Sequence, residues 1–277
     1  MPELPEVETV CRGLLTILKD KTLTDVTLRR ESLRYPLPSL FAERLIGKTV
    51  ETINRRAKYI LILFHNDPYM LVIHLGMSGR FRIMPCLDFK AEKHDHVIFT
   101  IDTDQTIAYN DTRRFGLMEL VAKEERLGHT LFKKLGYEPF DPKFTAILLH
   151  EKLKKRQQPI KQVLLDQSLI VGIGNIYASE GLWASQISPF RMANTLSAQE
   201  CENLLQSLRL VLTGALEAGG STLRDYHHPD GQFGCFQNKF QVYSRTGLPC
   251  LRDNCEGTIQ KRMQTGRSSY FCSTCQI

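Results

Sequence analysis

The chain has 277 residues, 42% hydrophobic and 24% charged, and 36 Lys+Arg against 30 Asp+Glu give it a net charge of +6. This length predicts about two domains, and the mix is that of a globular protein, which excludes a collagen, a coiled-coil rod and a wholly disordered chain. The positive balance suits a polyanionic partner without requiring one. No run of 18 apolar residues occurs, so no transmembrane helix is expected. The start, Met1-Pro2-Glu3-Leu4-Pro5-Glu6, is acidic and holds two prolines, and reads as neither a signal nor a transit peptide.

Residues 5–19 predict a helix, because Val7, Val10, Cys11, Leu14, Leu15 and Leu18 form one apolar stripe. Glu6 and Glu8 stand in its first turn, where the helix dipole favours negative charge. A β-rich stretch follows, with strands expected at 23–30, 49–55, 58–65, 70–75, 80–84, 95–102, 106–109 and 117–122. Several short strands separated by turns predict a sandwich or barrel. Residues 76–79 (Gly-Met-Ser-Gly) and 110–116 (Asn-Asp-Thr-Arg-Arg-Phe-Gly) read as loops between strands.

The character changes near 130. Gly136, Pro139 and Pro142 suggest a hinge, and residues 143–217 read as mostly helical. Lys152, Lys154, Lys155, Arg156 and Lys161 make a basic run whose simplest reading is a solvated face. An apolar-rich helix over 160–170 leads into Val171-Gly172-Ile173-Gly174-Asn175, and a second helix runs to about Trp183. Glycines before an Asn able to cap that helix leave N–H groups for an anion, although taken alone the simpler reading is a tight helix–helix turn with no ligand. Ser197-Ala-Gln-Glu200 is a capping box that opens a long helix stopping at Gly219-Gly220. Residues 219–235 hold four glycines and no periodicity, as expected of a slack loop or a lid. A strand is expected at 239–243.

Eight cysteines are present. Cys11, Cys86, Cys201 and Cys235 are scattered and read as packing residues. Cys250, Cys255, Cys272 and Cys275 follow a C-x4-C-x16-C-x2-C spacing, two close pairs joined by a hairpin. Such a pattern can set four thiolates around one Zn²⁺. The alternatives are disulfides or unrelated thiols, and the absence of a recognisable signal peptide argues against disulfides.

Four motifs, in order, carry a resemblance: Pro2-Glu-Leu-Pro-Glu-Val-Glu-Thr-Val10; Asp111-Thr-Arg-Arg-Phe-Gly116; Leu165-Asp-Gln167 with Gly172-Ile-Gly-Asn-Ile-Tyr-Ala178; and Gly266-Arg267 before the last cysteine pair. Together they resemble the formamidopyrimidine-DNA glycosylase (Fpg/MutM) family, from residue 2 to the C-terminus. The resemblance implies an α+β multidomain protein: an N-terminal β-sandwich with flanking helices (1–132), a linker (133–150), a helix-two-turn-helix domain (151–235, with a lid loop at 219–235) and a C-terminal zinc-finger hairpin (236–277). It implies a bifunctional DNA glycosylase/AP lyase that removes 8-oxoguanine and formamidopyrimidines from duplex DNA, preferably opposite cytosine, in base excision repair. A bacterial, cytoplasmic, nucleoid-associated monomer with no membrane partner is expected.

The resemblance also assigns roles residue by residue. Removal of Met1 would leave Pro2 as a secondary amine; with a pKa of about 8, part of it is neutral near pH 7 and able to attack C1′ as a Schiff-base nucleophile. Glu3 would be the general acid/base, and Glu6 would support the site and the extruded nucleotide. Lys58 would grip phosphate at the catalytic pocket. Asn175 and Arg267 would clamp the flanking phosphates, with Lys161 as a further contact. Met77, Arg113 and Phe115 would fill the gap left by the flipped base. Arg offers only donors, so Arg113 would favour cytosine, with its two adjacent acceptors, over adenine. Ser221, Thr222, Leu223 and Arg224 would open the lid. Zinc would be structural, since four thiolates leave no open position. One departure is the C-x4-C pair, where many relatives have C-x2-C; it keeps all four ligands and changes the turn between them. The competing readings are an endonuclease VIII-type relative acting on oxidised pyrimidines, a noncatalytic zinc-dependent DNA-binding module and a zinc ribbon for protein contacts.

Overall fold

The computed structural model describes residues 1–221 and 235–277. The chain forms two compact units: Met1–Lys133 with the described residues of Gly219–Cys235, and Lys134–Ala218 with Phe236–Ile277. Among the described residues no helix is long and apolar enough to cross a membrane.

The first unit is a two-sheet sandwich. Helix α1 (Leu4–Leu18) buries the predicted stripe, including Val7, Val10, Cys11 and Leu14. One sheet runs β1 (Leu23–Leu28), β6 (Asp95–Ile101), β7 (Gln105–Asn110), β5 (Arg80–Pro85); the other runs β2 (Val50–Arg56), β3 (Tyr59–Phe64), β4 (Tyr69–His74), β8 (Leu117–Ala122). All pairings are antiparallel, and inward residues of both sheets, such as Phe81, Phe99 and Ile107 against Ile60, Ile62 and Leu71, join α1 in one core. The short helix α2 (Phe41–Leu45) is absent from the sequence expectation. Its five residues are too few to show a helical period, and it is recognised only by burying Phe41 and Leu45.

Two chain crossings follow from this topology. Residues 75–79 carry the chain from β4 to β5, and residues 111–116 carry it back from β7 to β8. β4 and β8 are neighbours in one sheet, with His74 opposite Leu117, and β5 and β7 are neighbours in the other, with Arg80 opposite Asn110. Both crossings therefore lie side by side at one end of the sandwich.

The second unit holds α3 (Ala146–Leu153), α4 (Ile160–Leu165), α5 (Asn175–Ala184) and α6 (Ala198–Glu217), then the hairpin β9 (Ile259–Gln264)–β10 (Arg267–Cys272). The capping box opens α6 as expected: Glu200 N donates to Ser197 Oγ at 3.2 Å and Ser197 N to Glu200 Oε2 at 2.8 Å. Four expectations are corrected. The helix expected over 160–170 stops at Leu165; Asp166 caps Ser168 N at 2.9 Å, and Gln167 Oε1 takes Gly172 N at 2.8 Å, so the next residues turn instead of continuing. Asn175 does not cap α5: Gly174, in extended backbone, does, and Asn175 is the first helical residue. No strand forms at 239–243. A 3-10 turn covers Phe236–Lys239, and the N–H groups of Gln241, Val242 and Tyr243 all donate to the Glu180 carboxylate at 2.8–3.0 Å, which leaves them unavailable to a sheet. Helix α3 begins at Ala146, inside the 133–150 segment expected to be linker.

Candidate active site and nucleic-acid interface

Pro2 and Glu3 are buried immediately before α1, and Pro5 sits in the first turn, where its missing N–H costs the helix nothing. Glu6 is 2% exposed and ties three places together. Its Oε2 accepts Glu3 N at 2.9 Å, and its Oε1 accepts both Ser221 N at 2.8 Å and Ser221 Oγ at 2.9 Å. The start of the chain and the end of the 219–221 segment are thus held by one carboxylate. Gly220 (φ +78°) is required there, because a Cβ would press on Glu6. The remainder of the expected lid, with Thr222, Leu223 and Arg224, lies outside the described residues.

Lys58 follows Ala57 (φ +54°) in the tight turn between β2 and β3 and is 6% exposed. The turn is lashed to α1: Glu8 Oε2 accepts Arg55 Nε at 3.0 Å, and Arg55 Nη1 donates to Ala57 O at 3.0 Å. So Glu8, read in the sequence as a dipole charge, fixes the Lys58 turn against the helix that follows Pro2 and Glu3. His74, which the sequence reading did not single out, ends β4. Burial first, then the positive charge of Lys58 and Arg34, holds its imidazole down to about 4. Neutral Nδ1 accepts Gly76 N at 2.9 Å.

The two crossings carry Met77, Arg113 and Phe115 at the same end of the sandwich. Met77 is half-buried, Arg113 is exposed, and Phe115 is 45% exposed, which sets it apart from a core phenylalanine. The Arg113 guanidinium lies 4.9 Å from the Phe115 ring centroid.

In the second unit, β10 meets helices α4 and α5. Ser268 O accepts Asn175 Nδ2 at 3.0 Å and Lys161 Nζ at 2.9 Å, and Lys161 also donates to Ser269 Oγ at 2.8 Å. Lys161 is 1% exposed, so it departs from the rest of the basic run: its ammonium is interior and fastens the strand whose first residue is Arg267. Arg267 itself is exposed. An open pocket of about 410 Å³ between α4 and the hairpin is lined by Arg156, Lys161, Gln162, Gln264, Thr265 and Arg267. Glu180, also missed, is marked in the sequence only as an acid inside an otherwise apolar helix. Burial raises its pKa, against the pull of its three N–H partners.

The four C-terminal cysteines converge, all Sγ atoms within 4.8 Å of one another. Cys250 and Cys275 are 3.8 Å apart and Cys255 and Cys272 3.7 Å. Zn–S bonds of about 2.3 Å in a tetrahedron require S–S edges of about 3.8 Å, so the set fits one zinc ion and no disulfide. The longer turn between Cys250 and Cys255 closes through Asn254 (φ +58°) and the Cys255 N to Arg252 O bond at 3.1 Å, which keeps both thiols aimed inward. Trp183 Nε1 donates to Cys250 Sγ at 3.3 Å, a support from α5. Thr265 (φ +48°) and Gly266 (φ +73°) turn the hairpin and bring Arg267 to its tip. Of the other cysteines, Cys11 and Cys201 are buried as packing residues, whereas Cys86 is half-buried and Cys235 exposed.

A sandwich with a buried amino end beside two buried glutamates, in one chain with a helical unit and a four-thiolate hairpin, is the build of a zinc-finger DNA glycosylase. Two family models match, the formamidopyrimidine-DNA glycosylase N-terminal domain over residues 1–118 and the H2TH domain of the same enzymes over residues 135–227. The chain belongs to the formamidopyrimidine-DNA glycosylase family. It is 46% identical to the formamidopyrimidine-DNA glycosylase of Beijerinckia indica and 44% identical to that of Mesorhizobium japonicum, each match covering 100% of both chains. Its fold superposes on that of Lactococcus lactis Fpg in complex with DNA containing an abasic site, with a TM-score of 0.90, 36% identity and 99% of both chains covered. A MutM structure with DNA containing carbocyclic 8-oxo-G gives a TM-score of 0.89 at 36% identity over 99% of both chains.

Proposed function

We propose that this glycosylase excises 8-oxoguanine and formamidopyrimidines from duplex DNA and then cleaves the strand as an AP lyase, using the amine of Pro2 freed by loss of Met1. The observation that carries this reading is the amino end itself. Pro2 and Glu3 are buried together, Glu6 accepts Glu3 N, and the Glu8–Arg55 pair fixes their helix to the Lys58 turn. A noncatalytic DNA-binding module has no use for such an arrangement.

The neutral amine attacks C1′, the N-glycosidic bond breaks, and the base departs while Glu3 protonates the sugar ring oxygen. Because the amine is secondary, loss of the ring C–O bond gives a cationic iminium. That cation withdraws electrons from the sugar, so a proton is lost from C2′ and the 3′-phosphate leaves; a second elimination releases the 5′-phosphate. Lys58 holds phosphate at this pocket. Met77 and Phe115 occupy the gap in the stack, and Arg113 donates to the orphaned base, which favours cytosine. Asn175 and Arg267 hold the flanking phosphates. Lys161 serves them from inside, by fixing Ser268. Zinc, held by Cys250, Cys255, Cys272 and Cys275, is structural and aims the hairpin. The enzyme works as a monomer, in the bacterial cytoplasm at the nucleoid. Relatives crystallised with DNA containing an abasic site or Fapy-dG support the substrate class.

Borohydride trapping tests the reading. A duplex with 8-oxoguanine opposite cytosine should yield a covalent complex that maps by mass spectrometry to Pro2. A processed, DNA-binding protein that forms no adduct would refute the amine mechanism for this lesion.

A further inference from the structure

The two crossings that carry Met77, Arg113 and Phe115 are joined by a polar latch that is fully inside the protein. Asp111 is 0% exposed and Ser78 6%. Ser78 Oγ donates to Asp111 Oδ1 at 2.6 Å and accepts Arg113 N at 3.0 Å. Asp111 Oδ2 accepts Gly116 N at 2.8 Å and Tyr109 Oη at 3.3 Å, and Asp111 O accepts Arg114 N at 3.3 Å and bonds His96 Nε2 at 2.8 Å. A single hydroxyl therefore bridges the 75–79 crossing to both the carboxylate and the backbone N–H of the residue expected to read the partner base.

The glycines make this closeness possible. A Cβ at Gly76 (φ +63°) would collide with the backbone of Phe115 and Gly116, one at Gly79 with Leu75 O and Tyr109 Oη, and one at Gly116 with Tyr109 Oη. At Gly76 the two crossings meet main chain to main chain, and at Gly79 and Gly116 the missing Cβ leaves room for Tyr109 Oη. The exposed residues are the ones between Asp111 and Gly116: Thr112, Arg113, Arg114 (φ +56°) and Phe115.

We infer that Ser78 and Asp111 are positioning residues for partner-base discrimination, holding Met77, Arg113 and Phe115 as one rigid wedge. This rests on the function proposed above. Neither residue reaches the surface to touch DNA, and neither lies among the groups assigned to bond making. Their effect must pass through the aim of Arg113. Discrimination between cytosine and adenine depends on where a donor sits to within a fraction of an ångström, so it is the property a loosened loop loses first. Elimination at a preformed abasic site has no base to extrude and needs the wedge least.

The test uses the full-length zinc-loaded enzyme, Ser78→Ala and Asp111→Asn. Each is assayed on 8-oxoguanine opposite cytosine, 8-oxoguanine opposite adenine and an abasic site opposite cytosine, with amide hydrogen exchange followed across residues 76–79 and 111–116. In Ser78→Ala, exchange at Arg113 should quicken by at least about tenfold. The cytosine-to-adenine ratio of kcat/KM should fall by roughly five- to tenfold, with cleavage of the abasic duplex within about twofold of the parent enzyme. Asp111→Asn, which sets an amide N–H₂ where a carboxylate oxygen accepts, should lower the ratio at least as far. An unchanged ratio in both variants overturns the inference, as does an equal loss on all three duplexes, which is what mere destabilisation gives. A parent enzyme inactive on both oxidised-purine duplexes would sink the proposed substrate, and the positioning role with it.

Discussion

The imidazole of His74 has to be neutral for the 75–79 crossing to start where it does. Gly76 N donates to Nδ1, and a protonated ring would present a second N–H instead of a lone pair. Burial and the neighbouring cations Lys58 and Arg34 favour the neutral form and put its pKa near 4, against an ordinary value of 6.5. His96 shifts the same way, chiefly by burial, although its bond to Asp111 O opposes the shift. Between pH 4 and 6.5 the unfolded chain binds more protons than the native one at position 74, so stability rises with pH through that window. The contribution is complete above pH 6.5 and lost as pH falls to about 4. Asp67, Asp166 and Glu200 have lowered pKa values, and their stabilisation is lost on acidification below the ordinary carboxylate range. His74→Asn keeps an acceptor for Gly76 and removes the titration. Urea unfolding at pH 7, 6 and 5 should show a decline in the parent protein about 2 kcal/mol greater than in the variant. Parallel curves for the two proteins would show that His74 titrates normally.

Helix α5 does more than its ten residues suggest. Its first residue, Asn175, bonds Ser268 of the hairpin; Trp183 near its end supports Cys250; and Glu180 between them collects three successive N–H groups of the segment leading to the hairpin. Replacing Glu180 by Ala orphans three N–H groups beside a buried cavity and should destabilise the second unit by about 3–5 kcal/mol. Glu180→Gln keeps Oε1, which serves Val242 and Tyr243, and loses the acceptor for Gln241, so it should cost about 1–3 kcal/mol. Thermal unfolding followed together with zinc release reads both; equal effects of Ala and Gln would refute this division of labour. None of it was legible beforehand, because an acid accepting backbone N–H groups some 60 residues away leaves no periodic trace. Elements that bury a face at regular spacing were legible, and α1 and all eight sandwich strands lie where their apolar pattern put them. The strand expected at 239–243 failed for the complementary reason: its residues suit a ladder, but a side chain takes their donors first. Lys161 is a similar case, a lysine in a basic run whose ammonium turns inward to partners more than 100 positions away.

The motifs that revealed the family are short, and each falls on a loop or an element end. Pro2 and Glu3 precede α1, Arg113 and Phe115 lie on a crossing, Asn175 opens α5, and Arg267 follows the hairpin turn. What supports them, the carboxylates of Glu6, Asp111 and Glu180, is hidden in the sequence among thirty acidic residues that look alike. A net charge of +6 says little about affinity by itself; what matters is which side chains neutralise phosphate. Binding should weaken linearly in log–log terms as salt rises, because each neutralised phosphate releases counterions. The two members of the proposed phosphate clamp differ in this respect. Arg267 is exposed and cationic, whereas Asn175 is neutral and already donates one N–H to Ser268 O. Arg267→Ala should therefore weaken binding to an abasic-site duplex and lower the salt slope by about 1. Asn175→Ala should weaken binding through a lost hydrogen bond while leaving the slope unchanged, since it removes no charge. Titrations at 50, 100 and 200 mM KCl, with a catalytically silent duplex analogue, separate the two. Equal slopes for Arg267→Ala and the parent protein would mean that the hairpin tip does not neutralise a phosphate. A reduced slope for Asn175→Ala would mean that it acts by holding the Arg267 strand in place, so that losing the neutral residue also withdraws the charged one.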